Sequence, residues 1–406
     1  MKRILSMIQP SEKEEKELKK TFNEIKKKIK IPYTKVIMGG SSAKGTHLKD
    51  NHDIDIYVKF KENKYAGLNI SEILKRKLKF KGLNLLHGSR DYFQFKYNNF
   101  DIEVIPIIDI KKADDAHNIT DISPLHITWV RKHKKKTNQI RLTKAFAKAN
   151  EIYGAESFIK GFSGYSLEIL TIHYGSFEKL LKAATKWKPK VIIDTENHYK
   201  KKNILLELNK SKIDSPIILI DPVQETRNVT SVVSQEKFLL FKEMAKKYLK
   251  SKNKINFFQK DKFNLEKLEK KHAKLFLLEI KPLDGKRDVV GAKLLKCHQY
   301  LEKQLRLNNF EIVESGWNWE GDALFWFAVK ELKLSPTIKH YGPSKKHKER
   351  LDNFKNKWGK VKYEKDISYV MKQRDYTHAE DLLMALTSDE YVNSKVSSLN
   401  IRKVYK

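Results

Sequence analysis

The sequence predicts a multidomain chain of mixed α/β and α+β class: an α/β head, a helical central domain, and a C-terminal α+β body with a basic helical tail. Three observations predict it. Residues 53–60, DIDIYVKF, alternate polar and apolar with period two, and a hairpin pattern follows around Asn98-Asn99. From Pro124 the apolar spacing turns helical. The last third runs strand, helix, strand, strand, the order of a small antiparallel sheet with one helix packed on it. The expected bounds are 1–135 for the head, 136–255 for the central domain and 256–406 for body and tail.

Each element has a local reason. Ser11 with Glu14 forms a capping box that opens a helix with Leu18, Phe22, Ile25 and Ile29 inward. KVIMGG (35–40) reads as a buried strand running into a turn. In 53–60, Asp53, Asp55 and Tyr57 share one face, while Ile54, Ile56 and Val58 face a core. ISEILKRKLKF (70–80) reads as a helix. YFQFKY and FDIEVIPII pair through Asn98-Asn99, two residues suited to a tight turn, and place Asp101 and Glu103 on one face. TNQIRLTKAFAKANEIYG is expected to start at a Thr137 cap and to stop at Gly154. Its apolar face carries Ile140, Phe146 and Ala149, and another face carries Arg141, Lys144 and Lys148. KLFLLEIKPL, VVGAKLLKCHQYLEKQL, FEIVESG and DALFWFAVKEL supply the final strand-helix-strand-strand run. A basic tail from GPSKKHKERLDNFKNKWGKV onward reads as helical.

Composition narrows the function classes. With 40% hydrophobic and 11% aromatic residues the chain has material for buried cores. The excess of 83 Lys+Arg over 50 Asp+Glu, a formal charge of +33, points first to nucleic acid and second to an anionic membrane surface; lysine-rich background composition is the bland alternative. No apolar run approaches the roughly 20 residues of a membrane span, and the N-terminal segment lacks the pattern of a secretory signal. The single cysteine, Cys297, cannot form an internal disulfide, so a reducing, cytoplasmic setting is expected, with Cys297 in a core.

In so basic a chain, GGSSAKGTHLKDNHDIDIYVKF (39–60) stands out. Two carboxylates at i and i+2 on a strand can hold a divalent cation, and a third from a neighbouring strand, Glu103, completes a hard oxygen-rich set suited to Mg²⁺. Two such ions can activate an attacking hydroxyl and neutralise a leaving pyrophosphate. The Gly39-Gly40-Ser41-Ser42 turn offers backbone N–H groups and a hydroxyl to a phosphate. A D-x-D pair alone is common. Strand, GGS turn, D-x-D strand and acidic hairpin in series describe a nucleotidyltransferase of the DNA-polymerase-β type.

Further blocks extend the match. SPLHITWV (123–130), RLTKAFAKANEIYGAESFIKGFSGYSLEIL (141–170), DPVQETRNV (221–229) and, more loosely, DALFWFAVKELKLSPTIKHYGPS (322–344) follow in order, and with them the chain resembles the archaeal (class I) CCA-adding enzymes, which are tRNA nucleotidyltransferases. The resemblance implies template-independent addition of CCA to tRNA 3′ ends from CTP and ATP. It implies Asp53 and Asp55 as metal carboxylates and Glu103 as the third, with Asp101 as rival; the family usually has aspartate at the third position. Ser41, His126, Lys144 and Tyr153 are implied at the triphosphate and sugar, and Arg227 at the incoming base. Lys44 stands where the family usually has arginine, keeping the charge without the fork. The body and tail are implied to grip the acceptor and TΨC arms of tRNA, and the family admits a homodimer.

On chemistry alone His126 reads as a capping or surface histidine, Lys144 as a solvated lysine, Tyr153 as a core aromatic and Arg227 as a loop residue; the resemblance reverses all four. His47 and His52 lack a four-ligand zinc spacing. A poly(A) polymerase on the same head, or a catalytically inactive RNA-binding protein, are the alternative functions.

Overall fold

The computed structural model describes every residue except 201, 261, 262 and 406, and the side chains of all but these and 404–405. The chain forms two compact units, Met1–Asp261 and Lys262–Lys406.

The first unit opens with α1 (Lys2–Ile8) and α2 (Glu12–Lys28). The capping box at Ser11 and Glu14 forms as expected, and Leu18, Ile25 and Ile29 are buried. Next come β1 (Thr34–Met38), α3 (Gly40–Lys44), β2 (Asp53–Phe60), α4 (Glu62–Tyr65), α5 (Ile70–Lys77), β3 (Asn84–Leu86), β4 (Tyr92–Tyr97) and β5 (Phe100–Ile108). They build a five-stranded sheet of order β1-β2-β5-β4-β3. Asn98 and Asn99 both take positive φ, 49° and 63°, as a tight hairpin turn requires. β1 lies at the sheet edge and is half-buried, so KVIMGG is not the enclosed strand its apolar run suggested. β2 and β5 are parallel, and Ile54, Ile56, Ile102 and Val104 fill the core beneath them.

The central part holds α6 (Ser123–Lys132), α7 (Thr137–Ala149), α8 (Gly164–Tyr174), α9 (Phe177–Ala184), β6 (Val191–Ile193), α10 (Ile204–Glu207), α11 (Lys210–Ile213), β7 (Ile217–Asp221), β8 (Gln224–Asn228) and α12 (Gln235–Lys250). Its core carries Phe146, Phe162, Phe177, Phe238, Phe241 and Tyr248, and also Ile4 and Ile8 from α1. The first helix therefore belongs to the central core although it precedes the head in sequence. α7 departs from expectation in three ways. It ends at Ala149, because the Asn150 side chain donates to the Phe146 carbonyl (2.7 Å) and to the Phe257 carbonyl (3.0 Å), and Glu151 turns to φ 57°. Thr137 does not cap it; its hydroxyl donates back to the Lys134 carbonyl. The face with Arg141 and Lys144 is buried rather than solvated.

The second unit contains α13 (Leu265–Lys271), β9 (Lys274–Pro282), α14 (Arg287–Leu307), β10 (Ile312–Glu320) and β11 (Asp322–Val329), then β12 (Thr337–Ser344), α15 (Lys348–Trp358), β13 (Lys362–Glu364), β14 (Ile367–Gln373), α16 (Ala379–Thr387), α17 (Glu390–Asn393) and β15 (Val396–Tyr405). The expected antiparallel sheet is present, with α14 packed on it and Cys297 buried between them. The basic helical tail is corrected. Only α15 is a basic helix; β12, β14 and β13 form a separate antiparallel sheet, and β15 returns to pair with β9. The strand pattern was hidden because β12 is polar on both faces.

His298, on the buried side of α14, stacks on Phe327 at 5.0 Å, and among the described residues its Nε2 has no hydrogen-bond partner. Burial pushes its pKa down from 6.5 to about 4. The unfolded chain takes up this proton near pH 6.5 and the folded chain only near pH 4, so stability is whole above that window and falls as pH drops through it. The shift corresponds to about 3 kcal/mol. Urea unfolding of His298→Leu across pH 4–7 is expected to be flatter than that of the parent chain.

Candidate active site

The parallel register sets Asp53 opposite Asp101 and Asp55 opposite Glu103. The Gly39 amide donates to the Asp55 carbonyl at 2.7 Å, which draws the glycine turn over β2. A Cβ added at Gly40, where φ is +56°, would lie 1.7 Å from Oδ2 of Asp55, so only glycine lets the carboxylate lie there. Burial, then Glu103 and Asp53, pushes the Asp55 carboxyl up to about 7. Burial and then Asp101 raise Asp53. The Gln94 amide donates to Glu103, which is half-buried; Asp101 is exposed, 3.6 Å from Lys96. Like charges crowded in this way on one sheet face fit a hard divalent cation, whose charge would relieve their repulsion. Among the described residues no three acidic or histidine side chains already close into a metal cage, since Asp55 leans toward Gly40 and Glu103 toward Gln94.

Beside this face opens a cleft of about 350 Å³, walled by Lys44, Tyr57, Ser123, His126, Tyr165 and Arg227 among others. The start of α6, which brings Ser123 and His126, is anchored by Asp121. This fully buried carboxylate pairs with Arg90 and accepts from the amides of Ile108 (2.8 Å) and Asn118 (2.9 Å).

Asp221, buried at the end of β7, organises the far wall. It accepts from Arg227 Nη1 at 3.0 Å and Tyr165 Oη at 3.1 Å, and it lies 2.9 Å from His126 Nε2. Burial pushes the Asp221 carboxyl up, but the His126 hydrogen bond and the Arg227 charge outweigh it and hold it below its ordinary value. An ionised carboxylate only accepts, so Nε2 of His126 carries the proton. Burial lowers the His126 pKa, which leaves the ring neutral with Nδ1 as an acceptor.

Behind Lys44 lies a second buried carboxylate, Glu168 of α8, 1% exposed. Its Oε2 pairs with Lys44 at 2.8 Å, and its Oε1 with Lys144 and the Thr46 hydroxyl, each at 2.6 Å. Burial pushes Glu168 up, yet the two ammoniums hold it at about 2. Burial also lowers Lys144, but with an ionised carboxylate 2.6 Å away it keeps its proton. Lys44 lies over the Tyr165 ring at 4.8 Å, toward the cleft.

The structure thus gathers Lys44, His126 and Arg227 on one cleft, with Ser41 in the adjoining turn of α3 and the Asp53, Asp55 and Glu103 carboxylates on the neighbouring strands. Lys144 and Tyr153 sit behind the wall; a Cβ at Gly164 would lie 2.8 Å from the Tyr153 hydroxyl and 3.6 Å from the Lys144 ammonium. Sequence reasoning missed Glu168, Asp221 and Tyr165 as site residues. A signal existed for the acids: each stands in or at the end of a run of apolar residues, SLEIL and IILID, where a lone carboxylate must find a partner.

A D-x-D strand beside a glycine-serine turn, paired with an acidic strand, defines a nucleotidyltransferase of the polymerase-β-like class. Three family models match in succession: "Nucleotidyltransferase domain" over 16–121, "tRNA nucleotidyltransferase, second domain" over 138–259, and "CCA-adding enzyme, C-terminal domain" over 275–406. The CCA-adding enzyme of Nanoarchaeum equitans is 40% identical over 312 residues, 76% of each chain. That of Methanocaldococcus jannaschii is 31% identical over 430 aligned residues, 99% of this chain and 92% of its own. A solved cytoplasmic RNA terminal U-transferase, 13% identical, superposes with a TM-score of 0.51 over 64% of this chain and 97% of its own, which shows the shared fold. The chain belongs to the CCA-adding enzyme family. Nucleotidyltransferases of this fold use divalent metal ions. Among the described residues no helix is long and apolar enough to cross a membrane.

Proposed function

We propose that this chain adds CCA to the 3′ end of tRNA from CTP and ATP, without a nucleic-acid template, at the cleft beside Asp53 and Asp55. The observation that carries the reading is the acidic face of β2 and β5 next to a cleft lined by Lys44, His126 and Arg227, in a chain of this family. In the reaction the tRNA 3′-hydroxyl oxygen bonds to the α-phosphorus, the bond to the β-phosphate bridging oxygen breaks, and pyrophosphate leaves. Asp53, Asp55 and Glu103 would hold the divalent ions, Mg²⁺ in our reading. When bound, these supply charge neutralisation at the phosphates and acidify the attacking hydroxyl. Glu103 is favoured over Asp101 because it faces Asp55 and is half-buried, whereas Asp101 is exposed beside Lys96. Ser41 and Lys44 meet the triphosphate, with Lys144 and Tyr153 supporting them from behind. His126 offers an acceptor to the sugar hydroxyls. The remaining work is positioning.

Arg227 keeps donors beyond the one given to Asp221, and its side chain is 34% exposed. Cytosine N3 and adenine N1 accept hydrogen bonds, whereas uracil N3–H and guanine N1–H donate. A donor fork on that edge selects C and A together. Losing it costs about 1.5–3 kcal/mol, so Arg227→Ala is expected to misincorporate UTP and GTP, while Lys44→Ala raises KM for CTP and ATP evenly and stays faithful. Competition between CTP and UTP on one tRNA checks this.

The lysines of β12 and α15 give the second unit a basic surface suited to the acceptor and TΨC arms, read by backbone shape. A homodimer and a cytoplasmic location complete the proposal. Incubating tRNAs that end before C74, C75 and A76 with labelled CTP and ATP, then sequencing the products, tests it. Completion to CCA is expected; a homopolymer tail or no incorporation overturns it.

A further inference from the structure

We infer that Glu168 is a positioning residue for nucleotide binding: its carboxylate fixes the Lys44 ammonium toward the triphosphate, with Lys144 as the counter-charge that keeps Lys44 effective. This rests on the nucleotide site proposed above.

Three elements meet at Glu168. Lys44 comes from α3 and Thr46 from the loop after it, Lys144 from α7, and Glu168 itself from α8. Lys44 and Lys144 side chains are 10% and 5% exposed. A lysine on a flexible four-carbon stem is a poorly directed phosphate ligand, because binding must freeze its rotamers. Here they are frozen in advance. Among the described residues the Lys44 ammonium donates one hydrogen bond, to Oε2 of Glu168 at 2.8 Å, and it lies against Tyr165 at the cleft wall, which leaves two N–H groups for a ligand. Lys144 donates to Oε1 at 2.6 Å and to the Thr46 hydroxyl at 3.0 Å, so two of its three donors are committed within the protein.

The charges explain why two lysines share one acid. A Glu168–Lys44 pair alone would be neutral and would offer a tetra-anionic triphosphate little attraction. Lys144 balances the carboxylate, so the triad keeps one net positive charge, and the partner nearest the cleft is Lys44. Lys144 thus acts through Glu168, which accounts for a cation placed behind the wall rather than on it.

The test compares Glu168→Gln, which keeps shape and loses charge, with the parent chain on a tRNA lacking only the terminal A and on one lacking CCA. KM for ATP and for CTP is expected to rise by about tenfold, since an unheld Lys44 must freeze its rotamers on binding and this outweighs the positive charge gained, while KM for tRNA holds. Glu168→Gln added to Lys44→Met should cost nothing further, because its effect passes through Lys44. The variant Lys144→Met/Glu168→Gln removes both buried charges together and serves as the folding control. A merely structural Glu168 would lower kcat or thermal stability and leave nucleotide KM unchanged. That result, or tighter nucleotide binding in Glu168→Gln, overturns the inference. Failure of the parent chain to incorporate CMP or AMP would instead overturn the function proposed for the cleft.

Discussion

Asp53→Ala and Asp55→Ala are each expected to abolish incorporation of both CMP and AMP, by about a thousandfold or more, because each removes an oxygen meant for a divalent ion that supplies several kcal/mol of charge stabilisation. tRNA affinity is expected to hold, since neither substitution alters the lysines of β12 and α15 proposed to meet tRNA. The structure adds a second readout. Asp55 is buried and packed beside Glu103 and Asp53, which together raise its carboxyl to about 7, so in chelator burial and the crowding of like charge oppose folding. Asp55→Asn relieves it at constant shape. This inactive variant should therefore melt, without divalent ions, at least as high as the parent chain. Substantial activity in either alanine variant, or a clear loss of stability in Asp55→Asn, would count against the assignment.

Gly40→Ala is the second large effect, and it replaces no charged residue. The new methyl would sit 1.7 Å from Oδ2 and 2.8 Å from Cγ of Asp55, and Gly40 already has φ +56°. The carboxylate must shift by an ångström or more, and misplacement on that scale costs about 10²-fold in rate. Gly45→Ala is the control. It too has positive φ, +69°, but nothing lies within 4 Å of its Cβ, so it is expected to lose only the strain, about 1 kcal/mol of stability, and keep its kcat. CMP incorporation alongside thermal melting separates the two.

What the sequence made legible was what repeats locally. Period two in 53–60 placed Asp53 and Asp55 on the face opposite Ile54 and Ile56, and the Asn98-Asn99 turn placed Glu103 on a partner strand. The capping box at Ser11 and the succession β9, α14, β10, β11 of the C-terminal body were equally local. Tertiary facts were not legible. Parallel pairing of β2 with β5, burial of α1 in the central core and the enclosure of Lys144 all depend on which distant element arrives alongside. The roles proposed for His126, Lys144 and Arg227 came from the family blocks, and their geometry became readable only with Glu168 and Asp221 in view. Those two carboxylates have no periodicity; each is one charge among apolar neighbours.

The pairing of β15 with β9 has a consequence for synthesis. β9 is central to its sheet, with β11 on one side and β15 on the other. As the chain leaves the ribosome, β10 and β11 can join β9 early, but its other edge must wait until β12 to α17 have been made. During that interval a row of unsatisfied N–H and C=O groups on β9 is open to pairing with a neighbouring nascent chain. The same dependence governs shortened chains. A truncation at Gly342 would remove β15 along with the basic lysines and leave β9 permanently unzipped, so weakened tRNA binding in such a protein would report a damaged sheet as readily as a lost contact. Charge-reversal of lysines in α15, which leaves β15 in place, isolates the contact.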